Sequence, residues 1–365
     1  MEDCCGGDKR DDKHEERRDS HVEKGDEMHG GDKDKGREAN DLLKNAVNPQ
    51  NNAQNRPKKK TLVLITAVAG AVFIVALIVF LLFINVSSKN AAGVNSLLQN
   101  TPIHGPSDIN FNSLAQTVYP YGGFILPVVW GDSIKILLES GALNKTALVA
   151  AIESSNQTLT PYETAIMNGT FDGYIYVNHS DSSFLLYALW SLGVNNNNSI
   201  IDKGPLMQLG DPDNYASTGG YLPLGELRLG ALSIINLTPL QESEAINISE
   251  ATFRPCCNNP AAFPDCNHGA AELALIEMMT SQGYNQSTTF KVLRNFLSEY
   301  YPQNMFDEAV VFASQGVNFS SVSANTTVSY SLFSATGAQN VGAYIQKYGL
   351  LQSSSTSSGG GSCSA

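Results

Sequence analysis

Thr61 to Ile84 is a run of 24 residues without a charge. An α-helix rises about 1.5 Å per residue, so this run would extend roughly 36 Å, enough to cross the hydrocarbon core of a bilayer with some tilt. A chain carrying such a run is predicted to be a single-pass membrane protein. No second stretch matches it in length and apolarity, which excludes a multi-span transporter. Lys58, Lys59 and Lys60 stand directly before the run, with Arg56 upstream, and the first basic residue after it is Lys89. By the positive-inside rule the N-terminus is cytoplasmic and the long C-terminal part lies outside the cell membrane. A cleaved signal peptide fits less well, because the apolar run is long and starts about 60 residues in.

Charge divides the chain in the same way. Residues 1–60 carry 14 Lys/Arg and 15 Asp/Glu with no aromatic residue. Such a segment cannot bury enough apolar surface to offset the entropy of ordering, so it reads as a disordered cytoplasmic tail. Cys4 and Cys5 within it could be acylated, but they lie far in sequence from the span and read better as plain reduced thiols. Residues 86–365 carry 9 Lys/Arg and 20 Asp/Glu, a net of −11. That acidic surface has no basic patch, so nucleic-acid binding is excluded there. Eleven Asn-x-Ser/Thr sequons lie at or after the span, from Asn85 to Asn325, and none before it. The asymmetry agrees with an extracytoplasmic glycoprotein.

Beyond the span, residues 85–110 read as a polar stalk, 111–350 as the folded domain and 351–365 as a flexible Ser/Gly tail. Helix signals dominate the domain, so the fold class is mostly α. Asp132 opens a helix that Gly141 stops. Thr160-Pro161-Tyr162-Glu163 and Thr238-Pro239-Leu240-Gln241 carry the N-cap, N1 proline and N3 partner of a capping box. Further helices are expected at 181–193, 268–282, 286–300, 303–315 and 336–349, and a short strand within 171–178. Residues 204–230 hold six Gly and three Pro and read as irregular. Trp190 is expected in the core, as are Tyr119, Tyr121, Phe124 and Trp130.

Chemistry concentrates in Arg254 to Gln282. Cys256, Cys257 and Cys266 fall within eleven residues, and His268 follows at the start of a helix apolar on most sides. Such a helix is buried, which docks the cysteine loop on the core. The helix N-terminus favours a thiolate on Cys266. His268 and Glu272 are four residues apart and share a helix face, so Glu272 can orient the imidazole or ligate beside it.

Three outcomes follow for this cluster. Cysteines in a compact loop outside the cytoplasm most often pair, and Cys256 or Cys257 with Cys266 would staple the loop. That leaves one thiol for Cys363 or for another chain, the route to a disulfide-linked oligomer. Cys256, Cys257, Cys266 and His268, with Glu272, also form an acceptable ligand set for zinc or another thiophilic metal ion, although adjacent cysteines chelate awkwardly. A redox or nucleophilic thiol is the third outcome, without a Cys-x-x-Cys motif to support it. Weaker candidates are the turn at 214–221, where Ser217 lacks a nucleophile-elbow frame, and the pair Asp211 and Asp213 in ordinary turn chemistry.

The blocks FILPVVWGD (124–132), FLLYALWSLGVNNNNSIIDKGPLM (184–207), NYASTGGY (214–221) and RPCCNNPAAFPDCNHGAAELALIEMMTSQG (254–283) together resemble an uncharacterised family of prokaryotic membrane-anchored or exported proteins. The resemblance covers roughly 120–310 and is most specific in the last block. It imports no activity. It implies that Cys256, Cys257, Cys266 and His268 act as one local unit, and it favours a ligand or thiol site, because a staple needs no histidine. The leading expectation is therefore a surface-anchored domain that binds a metal ion through its Cys/His cluster. The alternative from another class is a structural cell-surface glycoprotein, and a thiol redox protein stands third.

Overall fold

A computed structural model describes residues 97–216, 225–226 and 228–351. These belong to one of the chain's two compact units. The expected tail, span and terminal Ser/Gly segment, with Cys4, Cys5 and Cys363, lie outside the described residues, as do Ser217 to Tyr221. Among the described residues no helix is long and apolar enough to cross a membrane.

The fold is mostly α with one small hairpin. In chain order the main elements are α1 (Phe111–Val118), β1 (Phe124–Val129), α2 (Ser133–Ser140), α3 (Lys145–Ser154), α4 (Pro161–Met167), β2 (Tyr174–Val177), α5 (Ser182–Asn195), α6 (Pro239–Ala251), α7 (Asn267–Ser281), α8 (Gln286–Tyr300), α9 (Pro302–Ser314) and α10 (Ala335–Tyr348). Both expected capping boxes form. Thr160 Oγ1 accepts from the Glu163 N–H at 3.2 Å while the Glu163 carboxylate accepts from the Thr160 N–H at 2.7 Å, and Thr238 with Gln241 repeats the pattern. Gly141 ends α2 in the left-handed conformation. Asp132 occupies the N-cap of α2 without a side-chain cap bond.

α5 and α7 form the centre. α5 is buried from Phe184 to Asn195, and α7 from Asn267 to Thr280. They make the most extensive helix–helix contact in the molecule. Gly193 permits it: a Cβ there would lie 1.9 Å from the Ala270 carbonyl oxygen, so only glycine lets the two backbones cross so closely. Trp190 is fully buried, and its indole N–H donates to the Ala216 carbonyl at 3.0 Å.

β1 and β2 pair antiparallel, with the register broken between Leu126 and Val129. Pro127 sits in that break and has no N–H to give a ladder. The hairpin is tied to the end of α7 by reciprocal bonds: the Val129 N–H donates to Gln282 Oε1 at 3.1 Å, and Gln282 Nε2 donates to the Val129 carbonyl at 2.8 Å.

Three sequence expectations change. The stalk expected to reach residue 110 is part of the folded domain from residue 97 onward. Leu97, Leu98 and Ile109 pack on the core, and the Ile103 and His104 N–H groups both donate to the Ser314 carbonyl. In the Asn195–Asn198 run, read only as containing a sequon, Asn195, Asn196 and Asn198 form a buried polar brace while Asn197 is exposed. Asn196 Oδ1 accepts from the Ile234 and Ile235 N–H groups at 3.0 and 2.8 Å, and its Nδ2 donates to Glu277 at 3.0 Å. The aromatic set splits: Trp130 is buried, whereas Tyr119 is 37 % exposed and Tyr121 100 % exposed. The turn between α1 and β1 carries both tyrosines outward.

Candidate functional site

The cysteine loop is anchored at both ends before any of its side chains matters. The Phe253 N–H donates to the Val328 carbonyl and the Ala261 N–H to the Thr252 carbonyl, which closes a tight loop over 253–261. Its tip is pinned to the start of α10, where the Ala335 N–H donates to the Cys257 carbonyl at 2.8 Å and the Thr336 N–H to Asn258 Oδ1 at 3.0 Å. The chain then returns through Asp265 to Cys266, which is the N-cap of α7: the Gly269 N–H points at its Sγ at 3.5 Å.

Arg254 is the residue around which this loop is built, and reasoning from the sequence passed over it. Its side chain is fully buried. The guanidinium donates to Cys266 Sγ at 3.1 Å through Nε, to Asp265 Oδ1 at 2.7 Å and the Phe263 carbonyl at 3.3 Å through Nη2, and to the Asn259 carbonyl at 3.3 Å through Nη1. Asp265 is held in turn by Asn259 Nδ2 at 2.6 Å. Gly269 makes the room: a Cβ there would lie 2.6 Å from Arg254 Cζ. A sequence signal for this existed in the single Arg preceding the Pro-Cys-Cys turn, with an acid eleven residues on.

The expected site residues gather around this cation. Cys256 is the neighbour that acts most strongly on Cys266, and the Tyr301 hydroxyl donates to Cys256 Sγ at 3.3 Å. Cys257 Sγ lies 3.9 Å from the Asn259 carbonyl. His268 is packed between Tyr300 and Tyr301, with ring centroids 5.2 and 5.1 Å away. Its Nδ1 is buried without a hydrogen-bond partner, as are both Glu272 oxygens. Glu272 faces Arg254 Nη1 at 4.0 Å rather than the imidazole, so its expected role of orienting His268 is not realised.

Burial controls the protonation of the cluster. His268 is pushed down to about 3, by burial and then by the Arg254 charge, so its ring is neutral. Glu272 is pushed up to about 8, because burial outweighs the attraction of Arg254. Cys266 lies well above the ordinary thiol range, first through its hydrogen bond with Cys256 and then through burial, with Arg254 opposing. This corrects the expectation that the helix N-terminus would leave Cys266 as a thiolate: the neighbouring sulfur and the lost solvent outweigh the helix end. The three cysteines are reduced in this structure. Among the described residues, no group of three or more His, Cys, Asp or Glu side chains converges as a metal site.

Asp211 is an ordinary cap, its Oδ1 accepting from the Asn214 N–H at 3.3 Å. No protein-family model, curated protein or solved structure matches the chain.

Proposed function

We propose that the chain is a membrane-anchored protein whose extracytoplasmic domain carries a thiol–disulfide centre, with Cys256 and Cys266 as the exchanging pair. The observation that carries this reading is the buried Arg254 guanidinium 3.1 Å from Cys266 Sγ, with Cys256 the group that acts most strongly on that thiol. The Arg254 cation favours whichever sulfur carries the negative charge during exchange. In the exchange, a thiolate of the pair attacks a disulfide on a partner and one partner sulfur leaves as a thiol. The second cysteine of the pair then attacks the mixed disulfide and releases the other. Cys256–Cys266 is oxidised by two electrons, and the partner disulfide takes up those electrons with the two protons.

The anchor rests on the uncharged run at 61–84. Support for the outer location comes from the ten described sequons: seven have exposed and three half-buried asparagines, so none would have to be modified inside the core.

The test uses the full-length chain, equilibrated in glutathione buffers of graded potential and trapped for thiol counting and peptide mass spectrometry. The expected result is a reversible Cys256–Cys266 disulfide that forms and opens in the folded state and is lost in Cys256→Ser. A disulfide that opens only on unfolding would make the pair a structural staple, and a pairing through Cys257 would overturn the assignment.

A metal ion is the second reading, favoured by the partnerless His268 Nδ1 and Glu272 oxygens. Cys256, Cys257, Cys266, His268 and Glu272 would supply soft and borderline donors suited to zinc. An added cation would have to share the cluster with the Arg254 guanidinium. Elemental analysis of the same samples separates the two: about one zinc per chain, lost in His268→Ala, supports the metal, and metal-free protein removes it.

A further inference from the structure

A second cavity lies away from the cysteine cluster, between the turn after α1, the turn before α5 and the α8–α9 junction. It is an open cleft of about 980 Å³, within the size range of small-ligand sites. Gln116, Tyr119, Tyr121, His179, Glu299 and Gln303 line it.

Its walls are stiff. On one side the Gly123 N–H donates to the Pro120 carbonyl at 2.8 Å, and Gly123 has φ +69° with the Val177 carbonyl 2.2 Å from where a Cβ would stand, so the tyrosine turn is clamped against β2. The floor is an Asn-capped turn. Asn178 Oδ1 accepts from the Ser180 and Asp181 N–H groups, and Asn178 Nδ2 donates to Asp181 at 2.7 Å. Asp181 also accepts from Thr160 Oγ1 at 2.9 Å.

On this rigid frame Tyr121 is 100 % exposed. Folding gains nothing from an aromatic ring held wholly in water, so its face is available to a ligand. The groups around it are planar and polar: the amides of Gln116 and Gln303, and the Glu299 carboxylate, 3.8 Å from His179 Nδ1. Among the described residues no Lys or Arg lines the cleft, which disfavours phosphate, sulfate or acidic polymers. An apolar face for stacking, flanked by amide and carboxylate groups for hydroxyls, matches the two-sided chemistry of a pyranose ring.

We infer that this cleft binds a neutral oligosaccharide of two or three rings, with one ring stacked on Tyr121. This site is independent of the thiol pair and stands or falls separately from it.

The test is saturation-transfer NMR and calorimetric titration of the full-length chain in a sugar-free detergent. The probes are the neutral trisaccharides of glucose, galactose, mannose and N-acetylglucosamine, with a sulfated tetrasaccharide as the anionic counter-probe. The expected result is saturable binding of at least one neutral probe in the millimolar range or tighter. Binding should weaken about tenfold or more in Tyr121→Ala and be unchanged in Tyr215→Ala, a partly exposed tyrosine that does not line the cleft. Tyr121→Ala keeps the fold, because the side chain touches no core. Failure of every neutral probe, binding of the anionic probe alone, or equal affinity in Tyr121→Ala overturns the inference.

Discussion

The cluster around Arg254 and the cleft beside Tyr121 are opposites. In the first, a cation, three thiols, a histidine and two carboxyls are buried together, and Arg254 answers Cys266, Asp265 and Glu272. In the second, an aromatic ring stands fully exposed and nothing in the fold answers it. Unusual residues brought close in sequence are buried around one cation, which pairs with several of them. The group left without a structural partner lies in an ordinary-looking turn. Stability and recognition are thus assigned to different places, and mutations should divide accordingly.

The largest effect should come from Arg254→Met. It strands a buried Asp265 carboxylate and leaves two carbonyls without their donors, at a cost of about 3–5 kcal/mol. Urea denaturation of wild type and variant measures it directly. If the loss were below about 1 kcal/mol, the guanidinium would not be the keystone described above.

Gly269→Ala should come next, and its sign is informative. Alanine improves helix propensity by up to about 1 kcal/mol. Here the added Cβ meets a guanidinium held by hydrogen bonds on every side. A net loss of about 2 kcal/mol is expected. In the Arg254→Met background the same change should be neutral or stabilising, and the double-mutant cycle isolates that contact.

Glu272→Gln should act through pH. Glu272 titrates at about 8 in the folded state against an ordinary value of 4.5, so between these values the folded chain holds a proton that the unfolded chain lacks. The stabilisation from that proton is complete below pH ~4.5 and is lost as pH rises through about 8. Wild type should therefore lose stability relative to Glu272→Gln over that window, on the order of 1 kcal/mol per pH unit. His268 works in the other direction. It titrates at about 3 rather than 6.5, so its neutral, buried form loses stability as pH falls below about 6.5. His268→Gln should flatten the acid side only. Denaturation midpoints of the two variants from pH 4 to 9 check both signs.

The smallest effect on stability should come from Tyr121→Ala, within about 0.5 kcal/mol of wild type. A larger loss would mean that the ring packs in solution and that the contrast drawn here is false.

Much of the helical layout was legible in the sequence because its signals are local. Thr160, Thr238, Gly141 and the proline starts determine where chains of hydrogen bonds can begin or stop, and the helices beginning at Pro239, Asn267, Gln286, Pro302 and Ala335 lie within a residue or two of their expected positions. β1 went unread because Pro127 interrupts its pattern and its partner is some fifty residues away. The gathering of Cys256, Cys266 and His268 was legible from their density. The role of Arg254 was passed over, because its only sign, an acid eleven residues on, does not by itself say that the arginine will be wholly buried. Tyr121 failed for the converse reason. Aromatic content suggests core, and only the clamped turn at Gly123 shows that this ring points away from it.

Buried acids also change what the chain weighs electrically. The formal net charge of −12 counts every carboxyl as ionised. Glu272 is fully enclosed and pushed up to about 8, so at pH 7 it mostly holds its proton, and burial pushes Glu277 and Glu308 in the same direction. Unfolding at pH 7 then releases the Glu272 proton to the buffer. The heat of melting measured in an amine buffer will differ from that in phosphate in proportion to the difference in their ionisation enthalpies, and native electrophoresis will place the protein as less acidic than its composition declares.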